Sequence, residues 1–503
     1  MGIAKIGNQI EPGALLLLSK VGNLLSETGV RAYLVGGFIR DVFLGRETAD
    51  IDIAVASDAL EIAPRVATAF GGRYVLLSDV DRIGRVVLVD RDAPSAGGRW
   101  EIDFSTFDGS IEQDLERRDF TIDAMAVDLS WLRQGSAGVQ LIDPFDGWSD
   151  LNGGVIRAVT ETAFEADALR LLRAVRLAAE LGFSIDKETE ALIRGGSCLI
   201  ASVAGERVRA EMLRLLAVSQ TRYFLSCLDD LGLLTAIIPE LTQAKDVGQP
   251  SEHFWNVFDH SVETVAAVGF LLRQGAWKYA DDKVLAVTPW SAELAQHFAL
   301  EVSSGSTRGL LLKLAALLHD IAKPQTRAVD ERGRLRFLGH AGEGAAIAAS
   351  IMERLRFSAR EVSLVEVLVR HHLRLGQMSH DELPSHRAIY RYFRDTGEAG
   401  IDILFLSLAD HLATRGPHLE PAQWQEHAQM VEYVLARRFQ DEGVVTPPRL
   451  IDGRDLISIF GMSPGPRVGE FLEAVREAQA SGEVATREEA LSYVREHLLI
   501  GVV

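Results

Sequence analysis

Two cysteines in 503 residues, Cys198 and Cys227, are too few for a disulfide framework and sit in helical-looking, partly apolar surroundings that do not suit a thiolate metal site. A reducing cytoplasm fits this composition. No apolar stretch reaches the roughly 18 residues a membrane span needs. The N-terminal LLLL run lies in a polar-punctuated amphipathic pattern, without the long apolar region and small-residue cleavage site of a signal peptide. The chain is therefore expected to be neither secreted nor embedded. Positive charge is in deficit: 52 Lys and Arg against 71 Asp and Glu leave −19. That balance argues against nonspecific nucleic-acid binding by the whole surface, although a local basic groove can coexist with it. Fixed-period repeats and low-complexity tracts are also missing.

What is present is ordinary globular composition, 47% hydrophobic and 24% charged, in a chain long enough for several cores. Residues 1 to about 155 alternate strand and helix signals: RAYLV, FIRDVFLG, ADIDIAVA, GRVVLVD, WEIDFSTF and AMAVDL. This predicts a small mixed α/β unit. From about 160 the apolar period becomes helical, as in ADALRLLRAVRLAAELG and ERVRAEMLRLLAVS. Punctuation at 245–253 and 439–449 marks two further boundaries, and 279–306 reads as an irregular insertion or peripheral helix.

In TADIDIAV, residues 48–55, strand alternation sends Ile51, Ile53 and Val55 into a core and Asp50 and Asp52 out of the other face together. Two carboxylates about 6–7 Å apart repel unless a cation lies between them, and a divalent metal is the usual solution. An isolated D-x-D is more often a solvated acidic edge, so context decides. Upstream, YLVGGFIRDVFLG predicts a strand, a Gly36-Gly37 turn and a short helix ending at Gly45. Such a turn brings backbone N–H groups close to phosphate, and Arg40 would add a full charge.

The order GG-x-x-RD-x-x-LGR then D-x-D resembles the head of class II tRNA nucleotidyltransferases and bacterial poly(A) polymerases, of the polymerase-beta-like superfamily. DLERRDFTIDAMA, IDPFDGWSDL, FEADALRLLRAVRLAAELGF and ERVRAEMLRLL are similar to that family's later motifs. The resemblance implies an α+β fold, with a mixed-sheet head (1–155), then an all-helical neck (156–245), a third domain (246–440) and a tail (441–503). It implies that Asp50 and Asp52 hold catalytic Mg2+; Asp103, which alternation in WEIDFSTF sets opposite Ile102 and Phe104, is the candidate third carboxylate. Glu101 is placed off that face. Gly36, Gly37, Arg40, Arg117, Arg118 and Asp119 would meet ribose and phosphates, one of the adjacent arginines serving instead to brace the fold. Asp167 and Arg170, three apart on one helix face, would read the base of CTP or ATP, with Arg173 beside them. The sequence departs from the family pattern at Asp123, in place of Asn, at Ala166, in place of an acid, and at Asp146 and Phe107, and selectivity rather than catalysis is what these put in doubt.

Further on, an apolar helix ends in His319-Asp320, an expensive place for charge without a compensating partner. With His260 and Asp410 these resemble the H…HD…D signature of HD phosphohydrolases, and His340 with His371 or His372 would extend it to two metals. The resemblance implies a transition metal there (Mn, Ni, Co or Fe) and phosphoesterase action on terminal phosphates or 2′,3′-cyclic nucleotides. The expected activity is CMP and AMP addition to the tRNA 3′ end. A-only or poly(A) addition is the near rival, and an HD phosphohydrolase with a nucleotide-sensing head is the distant one. Expected partners are tRNA, CTP and ATP, with a homodimer allowed and neither DNA nor membrane. RNA would lie along Arg173, Arg176, Arg207, Arg209 and Arg214. Turn residues in 450–503, including Gly453, Arg454, Pro464, Gly465 and Pro466, read as helix caps.

Overall fold

Period-two alternation builds the head. In the computed structural model, which describes residues 9–89, 98–134, 140–250, 252–303, 305–378, 383–440, 445 and 447–500, seven strands form one mixed sheet. They are β1 (Ala32–Val35), β2 (Asp50–Val55), β3 (Arg73–Ser78), β4 (Ile83–Val89), β5 (Arg99–Thr106), β6 (Ala126–Asp128) and β7 (Leu141–Ile142), in the order β3-β4-β5-β2-β1-β6-β7. β2 and β5 run parallel, while the other neighbours are antiparallel.

One face is wholly apolar. Ile51, Ile53, Val55, Val86, Ile102 and Phe104 are at most 1% exposed. They share that side with helix α1 (Ala59–Phe70), whose Ile62, Ala63 and Val66 are buried in turn. Each such aliphatic side chain contributes roughly 1.5–3 kcal/mol on burial, so a one-residue slip of β2 would cost that core and bury two aspartates. The opposite face divides: Val35, Ala54 and Ala126 pack on Ile111 and Leu115 of helix α2 (Ile111–Glu116), whereas the Asp50 end stays open.

The chain divides into two compact units, one of 1–203 with 231–236 and one of 204–230 with 237–503. The segment expected as a neck, 156–245, is divided between them. In the first unit the helix expected in FEADALRLLRAVRLAAELGF breaks into α3 (Ala163–Ala166) and α4 (Leu169–Leu181), with Asp167 extended at φ −150° between them.

The second unit is helical, with two small two-stranded ladders at 301–307 and 327–337. Helices α5 (Val257–Leu271), α6 (Arg308–Leu318) and α7 (Gly400–Arg415) are buried around most of their circumference, as apolar sequences on all sides require. The 279–306 segment contains two short helices, Asp282–Val287 and Ala292–Ala299. The tail has its own core around Leu456, Phe471 and Val475. Asp452 caps the helix that begins at Gly453, and Pro466 opens the next. The boundary expected at 441 falls largely on residues 441–444 and 446, outside the described ones. Among the described residues no helix is long and apolar enough to cross a membrane.

Candidate active site and metal centre

Register places the head's charged groups in a row. Asp52 pairs with Asp103 across the parallel β2·β5 ladder, and Asp103 pairs with Arg85 across β4·β5. Asp50 and Asp52 lie on one face, as alternation requires. Arg85, which sequence reasoning missed, chelates Asp103 with Nε donating to Oδ1 at 2.7 Å and Nη2 to Oδ2 at 2.8 Å, and its Nη1 also donates to Glu101. Glu101 therefore shares Asp103's face, against expectation: a period of two puts residues 101 and 103 on the same side. The signal was available, since Arg85 sits at an outward position of GRVVLVD.

Gly36 closes the row. Its φ of +71° favours glycine, and a Cβ there would stand 2.8 Å from Arg118 Nη1 and 3.0 Å from Asp52 Oδ2. Burial lifts the Asp52 carboxyl to about 6, with Asp103, Asp123 and Asp50 adding repulsion and Arg118 opposing it. Crowded carboxylates beside a space that a methyl group would fill suit a divalent cation.

Arg40 is not available to phosphate as expected. It is half-buried, with Nη1 donating to Asp123 at 2.7 Å and Nε and Nη2 gripping Asp41 at 3.0 Å. The reason is Asp123 itself: an acid where the family has Asn, 5% exposed, needs a cation beside it. Gly37 opens a helix of only seven residues, Gly37–Phe43, and Arg40 folds back over it. The adjacent arginines diverge. Arg118 turns to Gly36 and Asp52, while exposed Arg117 lines a separate cleft of about 420 Å3 with Thr160, Ala166 and Arg170. Asp119 and Arg173 form an ion pair at 3.1 Å. Asp167 accepts the N–H of Leu169 at 3.1 Å, and Arg170 donates to the carbonyls of Ala163 and Arg117. The two therefore do not share a helix face, because the helix starts after Asp167. Asp146 adopts φ +56°, a left-handed conformation that Asp tolerates, which accounts for an acid where the family has glycine.

Of the expected RNA contacts, Arg176 is a correction. It is 4% exposed and bonded to Glu180 at 2.6 Å on the buried side of α4. Arg207 and Arg214 are exposed in the second unit, and Arg209 there donates to the carbonyl of Arg356 at 2.6 Å.

The second cluster is assembled in the second unit. His260 Nε2 lies 3.0 Å from Asp410 Oδ1 and 3.2 Å from His319 Nε2. Asp320 joins two groups: Oδ2 is 3.2 Å from His319 and 3.5 Å from His260, while Oδ1 is 3.4 Å from His340 and 3.8 Å from His372. The fourth histidine is His372, not His371, which stands outside on the neighbouring helix position. His319, His340 and His372 each set Nδ1 on a backbone carbonyl, at 2.8, 2.6 and 2.7 Å. That fixes the tautomer and turns the Nε2 lone pairs inward, the arrangement of metal-ligating imidazoles. Burial holds His260 and His372 neutral, the latter near 4, and Asp320 stays well below the usual carboxylate range because His319 and Lys323 outweigh burial. Lys323, 2.6 Å from Asp320, is a second residue the sequence reading missed, although HDIAK puts it one turn on. The donors fit two divalent ions.

Comparison with known proteins identifies the domains. The poly A polymerase head domain profile matches residues 32–157, a probable RNA-binding region of polymerase A matches 182–245, and the HD domain matches 282–415. The A-adding tRNA nucleotidyltransferase of Deinococcus radiodurans is 33% identical, over 92% of this chain and 95% of that one. This chain belongs to the tRNA nucleotidyltransferase family. The CC-adding tRNA nucleotidyltransferase of Thermus thermophilus is 34% identical, over 92% of this chain and 93% of its own. Among solved structures, a CCA-adding enzyme with CTP matches at TM-score 0.65 and 21% identity, covering 99% of both chains, which shows a shared fold. This tRNA nucleotidyltransferase thus joins a polymerase-type head to an HD domain within one chain.

Proposed function

We propose that the chain adds CMP and AMP to the tRNA 3′ end from CTP and ATP without a nucleic-acid template. The observation that carries this reading is the row Asp103–Asp52–Gly36, two carboxylates on neighbouring strands with a glycine whose missing Cβ leaves Asp52 room. Asp50 and Asp52, with Asp103, would hold Mg2+. When bound, such ions activate the 3′-hydroxyl and neutralise the triphosphate during in-line loss of pyrophosphate. Arg118 meets phosphate beside Gly36. Arg170, its guanidinium anchored on two carbonyls, presents its remaining N–H donors with Asp167 to the base. Arg207 and Arg214 bind RNA.

Relatives named for CC addition and for A addition both support nucleotidyl transfer to tRNA, so the assay separates the steps. Transcripts ending before the first C, after the second C or with a mature end are offered labelled CTP or ATP. CMP incorporation on the shortest and AMP on the intermediate transcript is the expected result. AMP alone would limit the chain to A addition, and long AMP tracts on unrelated RNA would make it a poly(A) polymerase.

The HD cluster is read as a two-metal phosphohydrolase centre in the same cytoplasmic enzyme, supported by Asp320 standing between two histidine pairs. Asp50→Ala abolishes incorporation and spares manganese- or nickel-dependent hydrolysis of bis(p-nitrophenyl) phosphate. Loss of both, with the fold intact, contradicts two separate sites.

A further inference from the structure

Register gathers four carboxylates on the polar face of the head sheet. Asp50 stands opposite Glu101, and Asp52 opposite Asp103, across the parallel β2·β5 ladder. Like charges directly opposite one another on neighbouring strands are destabilising, so two such pairs side by side call for cations. One cation comes from the next strand. Arg85, opposite Asp103 on β4, sets its guanidinium side-on to that carboxylate, with Nε donating to Oδ1 at 2.7 Å and Nη2 to Oδ2 at 2.8 Å, and directs Nη1 to Glu101.

The form of this contact matters more than its strength. Arg85 and Asp103 are 32% and 23% exposed, and ion pairs so close to water contribute little to stability. Two parallel N–H donors from one rigid fork do, however, fix the plane of the carboxylate they hold, which the single ammonium of a lysine does not. Glu101, bound to the third nitrogen, keeps the guanidinium from swinging away. An ionised carboxylate has about four lone-pair sites. Arg85 takes one on each oxygen, so Asp103 is oriented and still has sites for a metal ion shared with Asp52. The far end of the row has its own arginine, Arg118, beside Gly36 and Asp52; Arg85 is the cation of the β5 end.

We propose that Arg85 is a positioning residue for nucleotidyl transfer. It acts through Asp103, setting the angle at which that carboxylate meets a divalent ion, and its charge limits how tightly the ion is held. The proposal rests on the reading of Asp103 as the third metal carboxylate, and the test separates the two. Single-turnover incorporation of CMP or AMP, whichever the wild type shows, is measured on full-length Arg85→Met, Arg85→Lys, Asp103→Asn and the Arg85→Met/Asp103→Asn double variant. Manganese binding is followed in the same proteins by electron paramagnetic resonance, the head's ions being those lost in Asp50→Ala. Arg85→Met should lose about tenfold to a hundredfold in rate, the scale on which a misplaced reacting group costs, while binding manganese at the head more tightly because a neighbouring positive charge is gone. Arg85→Lys should bring manganese affinity back toward wild type without restoring the rate, since it supplies the charge and not the fork. The double variant should be no slower than Asp103→Asn, because a residue that acts through another then has nothing to act on. A near-wild-type rate in Arg85→Met overturns the proposal, as does a double variant slowed by the product of the two single effects. A parallel loss of rate and manganese affinity in Arg85→Met also overturns it, leaving Arg85 a brace for the fold. Wild-type rate and manganese binding in Asp103→Asn remove the reading of Asp103 as a metal carboxylate, whereas a slow Asp103→Asn beside a fast Arg85→Met leaves that reading standing and removes the positioning role alone.

Discussion

Gly36 and Gly45, both at positive φ, test whether the head works as the geometry suggests. Their φ values are +71° and +66°, with Gly36 at ψ −145°, a region essentially confined to glycine; a Cβ at Gly36 meets Arg118 and Asp52 within 3.0 Å, whereas at Gly45 nothing lies within 4 Å. Replacing either with Ala forces an L side chain to a positive φ, at about 1–3 kcal/mol. Only Gly36→Ala also has to move a carboxylate and a guanidinium by a few tenths of an ångström or more. Since misplacing reacting groups by about 1 Å costs on the order of 100-fold in rate, Gly36→Ala should lose one to two orders of magnitude in CMP incorporation. Gly45→Ala should stay within a few-fold of wild type. Single-turnover incorporation on a truncated tRNA transcript reads the rate, and urea unfolding followed by head-specific hydrogen exchange reads the stability loss. Metal uptake by the HD cluster should be unchanged in both. Equal rates in the two variants, with both folded, would refute the idea that the space at Gly36 is part of the catalytic site.

Three further outcomes follow from the same coordinates. His372→Ala should lower the manganese content of the protein by about one ion per chain, whereas His371→Ala should leave it unchanged; equal effects would undo the assignment of His372 as a ligand. Burial lowers the fully enclosed Lys313 from 10.5 to about 8, its ammonium donating to the Leu216 carbonyl at 2.7 Å. Because the unfolded chain then binds more protons between those values, stability conferred at this position rises with pH across the window. The stability difference between wild type and Lys313→Met should therefore shift in favour of wild type by about 2 kcal/mol from pH 7 to 9.5, and urea titrations showing no shift would mean the lysine is not desolvated. Arg176→Gln should cost about 3 kcal/mol without altering the salt dependence of tRNA binding, while Arg207→Ala lowers that slope by about one; the reverse pattern would restore Arg176 to the RNA surface.

Several of these features were legible in one dimension because they depend on local period. Alternation in TADIDIAV placed Ile51 and Ile53 inward and both aspartates outward, and motif order identified the family. The histidines of the HD signature could be named from spacing along separate helices. What spacing along a chain does not carry is the partner across a sheet or between helices. Arg40 looked like a phosphate ligand until Asp123, 83 residues away, claimed it. Asp103 looked like a free carboxylate until Arg85 met it from the next strand. Arg176 looked solvent-facing because its neighbours in α4 are also arginines.

Sequence alone thus determined which faces are apolar, that the two aspartates leave one strand on the same side, and which chemistry-bearing residue types recur in family order. These are consequences of strand and helix periods, which act over a few residues. Tertiary structure decided which charges neutralise one another and that His372 rather than His371 turns inward. Each of those depends on groups distant in sequence being held within hydrogen-bonding reach and away from water, where an unpaired charge is costly enough to dictate its partner.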